Sequence, residues 1–148
     1  MNTDRWRYTT CTIEAIEDEG ISTITVSGLV SPSVVIHAVG NNASWLEVTG
    51  AAAQVIDLRK MSAGFTAREA FDMVRAFMSN RLRTATPAAF IVPGGAMRPA
   101  TVYCLLMGQL GVCRAAFVTQ EEARSWALRH ARRTRTPKAE TEALEGPH

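Results

Sequence analysis

Between Ala53 and Thr119 three short apolar runs, AQVIDL (53–58), AAFIV (88–92) and RAAFVT (114–119), are separated by stretches long enough to hold a helix. This alternation constrains the chain more than any other feature. Strands joined through helices run parallel by right-handed crossovers, and compact apolar runs are the mark of strands covered on both faces. The clearest helix follows the first run. Ala67, Ala70, Phe71, Val74, Phe77 and Met78 recur at helical spacing, with Arg68, Asp72 and Arg75 opposite. The pattern predicts that Phe71, Val74, Phe77 and Met78 are buried, each gaining about 1.5–3 kcal/mol on leaving water. On that reading Phe71→Asp wrecks the fold.

The remaining segments take their bounds from punctuation. Cys11, Ile13 and Ala15, then Ile24, Val26 and Gly28, alternate on either side of Glu17-Asp18-Glu19-Gly20, which predicts an antiparallel hairpin with an acidic turn. Ser31-Pro32 is a cap followed by proline at the first helical position. The helix it opens continues through Trp45 and Leu46 to Gly50, with a flaw at Gly40-Asn41-Asn42. Pro93-Gly94-Gly95 ends the second apolar run, Pro99 fits the first turn of a helix reaching about Leu110, and Gln120 to about Arg133 forms a last helix with Ala123, Trp126 and Ala127 inward. The predicted fold class is α/β. It is a single mixed, mostly parallel sheet with an N-terminal antiparallel hairpin and about four helices, in the order β-β-α-β-α-β-α-β-α. One domain is expected over residues 1–133 and a loose tail over 134–148, where Pro137 to His148 lack apolar periodicity.

Composition narrows the function classes. At 148 residues, 47% apolar and 20% charged, the chain has the make-up of one globular domain rather than of a disordered or fibrous one. The longest apolar run, Val102 to Met107, is far short of the roughly 20 residues a membrane helix needs. With no secretory h-region at the start and three irregularly spaced cysteines, the expected compartment is the reducing cytoplasm. Lys/Arg and Asp/Glu balance at 11 each up to Leu128, and only the stretch from Arg129 onward is basic, 5 against 3. Arg129, Arg132 and Arg133 complement the negative end of the last helix, so no nucleic-acid partner is expected.

The ordered set ITVSGLV with Gly28, VIDLR with Asp57 and Leu58, and AFVTQEEARSWAL resembles the STAS domain, the anti-sigma-factor-antagonist fold. It is most similar to the SpoIIAA-like, STAS/SEC14-like branch of small bacterial proteins, over about residues 8 to 131. The resemblance implies a non-enzymatic binding or regulatory protein that acts through a protein partner. Its SEC14-like side implies the alternative, a carrier or sensor of an apolar, lipid-type small molecule. Regulatory STAS proteins share a D-S-S-G-like turn whose serine accepts phosphate. Here Thr66 falls at that serine, with Phe65 in place of the acid and Arg68 in place of the glycine.

The candidate partner-binding loop therefore contains Asp57, Ser62, Thr66 and Arg68. Thr66-x-x-Glu69 also reads as a capping box, as does Thr119 with Glu122. The apolar helix from Pro99 to Leu110 has three uses open to it: core, a homo-oligomer surface, or the wall of an apolar ligand pocket between helix and sheet. Met97, Tyr103, Leu106 and Met107 are the residues concerned, with Tyr103 and Met107 expected on its exposed edge. Enzyme readings lack a site. His37, His130 and His148 neighbour no nucleophile or carboxylate in the pattern, and Cys104 and Cys113, nine positions apart, read as buried structural thiols rather than zinc ligands. No cofactor or metal is expected.

Overall fold

The register between the second and third strands is set at a tight turn. Asp18 pairs with Ile21, and the two residues between them, Glu19 (φ 53) and Gly20 (φ 81), both take positive φ, the geometry of a type I′ hairpin. This places Cys11, Ile13 and Ala15 on the same buried face as Ile24 and Val26, as their alternation predicts. The computed structural model describes residues 1–62, 64–79 and 86–144, with side chains to Arg133. Residues 145–148, the end of the expected loose tail, lie outside the described residues.

Strands β1 (Asn2–Arg7), β2 (Cys11–Asp18) and β3 (Ile21–Gly28) form an antiparallel meander, followed by α1 (Pro32–Thr49), β4 (Ala53–Met61) and α2 (Ala67–Ser79). Strand β5 (Ala88–Ile91), a 3₁₀ turn at Gly94–Ala96, α3 (Met97–Gln109), β6 (Arg114–Phe117) and α4 (Gln120–Leu144) complete the order. The six strands lie side by side in chain order, with β3, β4, β5 and β6 parallel. Each parallel crossover advances the chain one strand in the same direction with the same hand, so α1, α2 and α3 all fall on one face. There Trp45, Leu46, Ala100, Tyr103 and Met107 pack over Ile13, Ile24, Leu58 and Phe90. Helix α4 covers the opposite face alone, setting Ala123, Ala127 and Ala131 on Ile21, Val55, Ala89 and Ile91.

The α/β class, the hairpin, the three parallel runs and all four helices are as the sequence predicts. Ser31 Oγ accepts from Val34 N at 3.4 Å with Pro32 in the first turn, and Gly50 (φ 67) closes α1 with its N–H donating to the Leu46 carbonyl. Three features differ. Strand β1 was not foreseen, because it is an edge strand whose side chains are exposed apart from half-buried Trp6, so no apolar alternation marks it. Helix α4 continues to Leu144, past the Arg133 at which apolar periodicity stops.

The third difference corrects the inward face of α2. Its buried residues are Ala70 and Ala76, with Met73, Val74 and Phe77 partly buried, while Phe71 is 57% exposed and Met78 is also exposed. Lying between α1 and α3, α2 meets the layer through small residues that allow close approach. The apolar arc of the helix is wider than its contact, and Phe71 and Met78 sit on the excess. Among the described residues no helix is long and apolar enough to cross a membrane.

Candidate functional site

Strand β4 runs through the middle of the sheet and delivers the candidate loop at its carboxyl end, the end at which open α/β sheets offer a crevice. Asp57 stands at the middle of this strand, opposite Thr25 on the α4 face, and is 9% exposed. Its partner is two residues along the same strand. Arg59 donates from its backbone N and its Nε to Oδ1, both at 3.0 Å, and from Nη2 to Oδ2 at 2.8 Å. Burial works against the Asp57 charge, but these bonds and the Arg59 charge outweigh it and hold the carboxyl below its ordinary value. Asp57 is thus a braced structural carboxylate, turned to the opposite face from the helices that flank the loop.

The loop itself is pinned from below. Ser62 N donates to the Gly28 carbonyl at 2.9 Å, tying the end of β4 to the end of β3. Gly28 (φ +104) is required there, since a Cβ on it would lie 2.4 Å from the Thr10 carbonyl oxygen. Gly64 turns the chain with φ +69, and Phe65 then drops into the core while Ser62 and Thr66 stay exposed. Thr66 N donates to Glu69 Oε2 at 3.1 Å and the Thr66 hydroxyl also donates to that carboxylate, so Thr66 and Glu69 hold each other at the start of α2. Thr119 Oγ1 likewise donates to Glu122 Oε1 at 2.9 Å and accepts from Glu122 N at 3.3 Å.

Arg68, the second residue of α2, is exposed and borders a groove of about 360 Å³ shared with Pro32 and Ile36 of α1 and with Asp72 and Arg75. The structure therefore brings Ser62, Thr66 and Arg68 to one edge and sends Asp57 elsewhere.

The α3 residues require correction. Tyr103 and Met107 are not on an exposed edge; they are 4% and 0% exposed and point into the core. The ring of Tyr103 stands between Phe65 and Phe90, and burial raises its phenol above the ordinary value. These two side chains therefore belong to the core between α3 and the sheet. Met97 and Leu106 are half-buried, and the exposed apolar residues of α3 are Val102 and Leu105. The thiols also need correcting: Cys113 is exposed, while Cys104 is half-buried and its pKa is pushed up to about 11 by desolvation. His37 is exposed on α1, and His130 stacks on Trp126 with ring centroids 3.8 Å apart.

A cavity does occur on this face, under the loop rather than under α3. It has a volume of about 100 Å³ and lies between α1, α2 and the sheet, lined by Trp6, Ile24, Asn42, Leu58, Phe65 and Met73 among others. Phe65 and Asn42 both line it. Asn42 reads as a helix flaw, yet α1 runs through it unbroken. Asn42 Nδ2 donates to Gln54 Oε1 at 3.1 Å as an inward polar contact, while Asn41 Nδ2 donates to Tyr8 Oη at 2.7 Å on the surface.

No protein-family model matches the sequence, and no curated protein sequence matches it. Among solved structures the chain is similar to an anti-sigma factor antagonist from Mycobacterium paratuberculosis. That likeness has 17% identity and a TM-score of 0.52, and covers 80% of this chain and 94% of the other. The fold is that of a STAS domain.

Proposed function

We propose that the chain is a non-catalytic regulatory STAS protein that binds a protein partner through the edge formed by Ser62, Thr66 and Arg68. The observation that carries this reading is the contrast within the loop. Its backbone is fastened by the Ser62–Gly28 hydrogen bond and its one large apolar side chain, Phe65, is buried, so three polar side chains are presented from a fixed frame. A fixed frame lowers the ordering cost of association. The solved neighbour is described as an anti-sigma factor antagonist, a protein whose work is done by contact with another protein.

Lys60 and Arg68 are exposed along this stretch, while Arg59 and Arg75 are paired with Asp57 and Asp72 and Glu69 is hydrogen-bonded to Thr66. The edge is therefore polar and near charge balance rather than strongly basic.

A photo-crosslinking residue placed at Thr66 and, separately, at Val48 tests the assignment in cells of the source organism. Val48 is fully presented near the far end of α1, at the opposite end of the sheet. A discrete protein adduct from position 66, absent from position 48 and lost with Arg68→Glu, is the expected result. Identical adducts from both positions, or none from position 66, would refute the docking edge.

A further inference from the structure

We infer that the free edge of β6 is a self-association site, at which two copies of the chain pair β6 antiparallel to β6 and join their sheets into one. The inference stands independently of the partner-docking reading. Strand β6 ends the sheet, with β5 on one side and, among the described residues, no strand on the other. Its bonds to β5 fix which backbone groups are left over. Ala88 N donates to the Cys113 carbonyl at 3.1 Å and Val92 N to the Phe117 carbonyl at 2.9 Å. Backbone groups of successive residues point to opposite sides of a strand, so Cys113, Ala115 and Phe117 face β5. The N–H and C=O of Arg114, Ala116 and Val118 point away from the sheet.

The two edges of the sheet differ in how they meet a copy of themselves. A two-fold axis normal to the sheet keeps each face on its own side, so odd-numbered residues stand opposite odd and even opposite even. Centred self-pairing of β1 therefore sets Asp4 against Asp4, or Arg5 against Arg5, of the second copy, and like charges directly opposite repel. Charges of this kind guard an exposed edge. Strand β6 lacks the guard. Centring on Ala116 sets Ala116 against Ala116 and Arg114 against Val118, each pair exchanging two hydrogen bonds through the groups left over, with no like charges opposed. Val118 is 43% exposed, and Arg114 Nη1 is turned inward onto the Thr86 and Cys113 carbonyls.

Helix α3 fits the same pairing. With Tyr103 and Met107 directed at the sheet, the right-handed crossover from β5 to β6 turns Thr101, Cys104 and Gly108 toward the β6 side. The Cys104 thiol, raised mainly by burial, accordingly also senses Arg114 and Cys113. Paired strands lie about 4.8 Å apart, which sets the two α3 helices about 10 Å from each other, an ordinary packing distance that these small side chains permit. The wall made by β6 and the flank of α3 is about 20 Å long and about as tall. Its projected area, on the order of 400 Å² per copy, belongs with small, weak interfaces, so the dimer is expected to dissociate in the upper micromolar range.

Amide hydrogen exchange of the intact chain, followed by NMR at about 20 μM and about 1 mM, tests the pairing together with sedimentation equilibrium over the same range. The expected result is a monomer–dimer equilibrium in which protection of the Ala116 and Val118 amides rises several-fold with concentration while that of the β1 amides does not. Two substitutions at exposed Val118 read the register. Val118→Lys, set beside Arg114 of the second copy, is expected to weaken association about fivefold or more, and Val118→Glu to preserve or strengthen it. Loss of a merely apolar contact would weaken both alike. Ala116→Pro removes an outward donor without touching the bonds to β5 and is expected to leave a monomer; should that variant not fold, the Val118 pair decides. A chain still monomeric at the higher concentration, a dimer whose Ala116 exchange ignores concentration, or equal weakening by Val118→Lys and Val118→Glu would each overturn the inference.

Discussion

The ring of Phe65 meets the ring of Tyr103 edge-on, with centroids 6.4 Å apart and planes at 77°, and Tyr103 stands edge-on to Phe90 at 5.2 Å. A loop residue, a helix residue and a strand residue are thereby joined in one aromatic chain, and the middle of the candidate loop is anchored in the core. Truncating a buried phenylalanine to alanine costs about 3–5 kcal/mol, and trimming it to leucine removes less apolar volume. Phe65→Ala is therefore expected to lower the urea midpoint sharply and Phe65→Leu by a smaller amount. Equal, small effects in equilibrium unfolding would show that the loop is not anchored there.

Gly28→Ala is expected to destabilise the protein by more than about 1 kcal/mol. The new Cβ would sit 2.4 Å from a backbone oxygen, which cannot swing away as a side chain can, and φ is +104. Because the Gly28 carbonyl receives the Ser62 N–H, the same substitution is expected to speed amide exchange at Ser62 before exchange in β5 is affected.

Asp57 gives the stability a pH dependence of known sign. Its folded pKa lies below the ordinary 3.8, so its contribution is fully present above that value and is lost as pH falls through the folded pKa. Asp57→Asn removes the titrating group. The gap in unfolding free energy between wild type and Asp57→Asn is expected to be constant near neutrality and to narrow on acidification below about pH 4. A gap that widens in acid contradicts the Arg59 brace.

Phe71→Asp is expected to change stability by no more than about 0.5 kcal/mol, as for other exposed surface positions, while Ala70→Asp at the adjacent, buried position unfolds the chain. Circular dichroism melts of the two variants separate the observed inward face of α2 from the one its periodicity implies.

That pair of residues also shows what the sequence could reveal. Hydrophobic spacing located α2 and its ends, because period and punctuation are local properties. It did not say which part of a broad apolar arc faces inward, because that depends on α1 and α3 on either side. The same holds for Tyr103 and Met107: six consecutive apolar residues carry no marker of direction, and only the rings of Phe65 and Phe90 draw Tyr103 inside. The loop residues Ser62, Thr66 and Arg68 were legible from their place after a central strand. The cavity was not, since Trp6, Asn42 and Met73 converge from elements far apart in the chain.

The order of strands across the sheet, β1 through β6 without a single insertion, has a consequence for how the molecule comes into being. Every strand, as it emerges from the ribosome, finds its docking edge already made by the one before it, and no earlier pair has to be parted to admit a latecomer. Synthesis and assembly of the sheet can thus proceed in step, from β1 to β6. Helix α4 on the far face, which follows all six strands in the chain, is the piece that fastens strands already laid down.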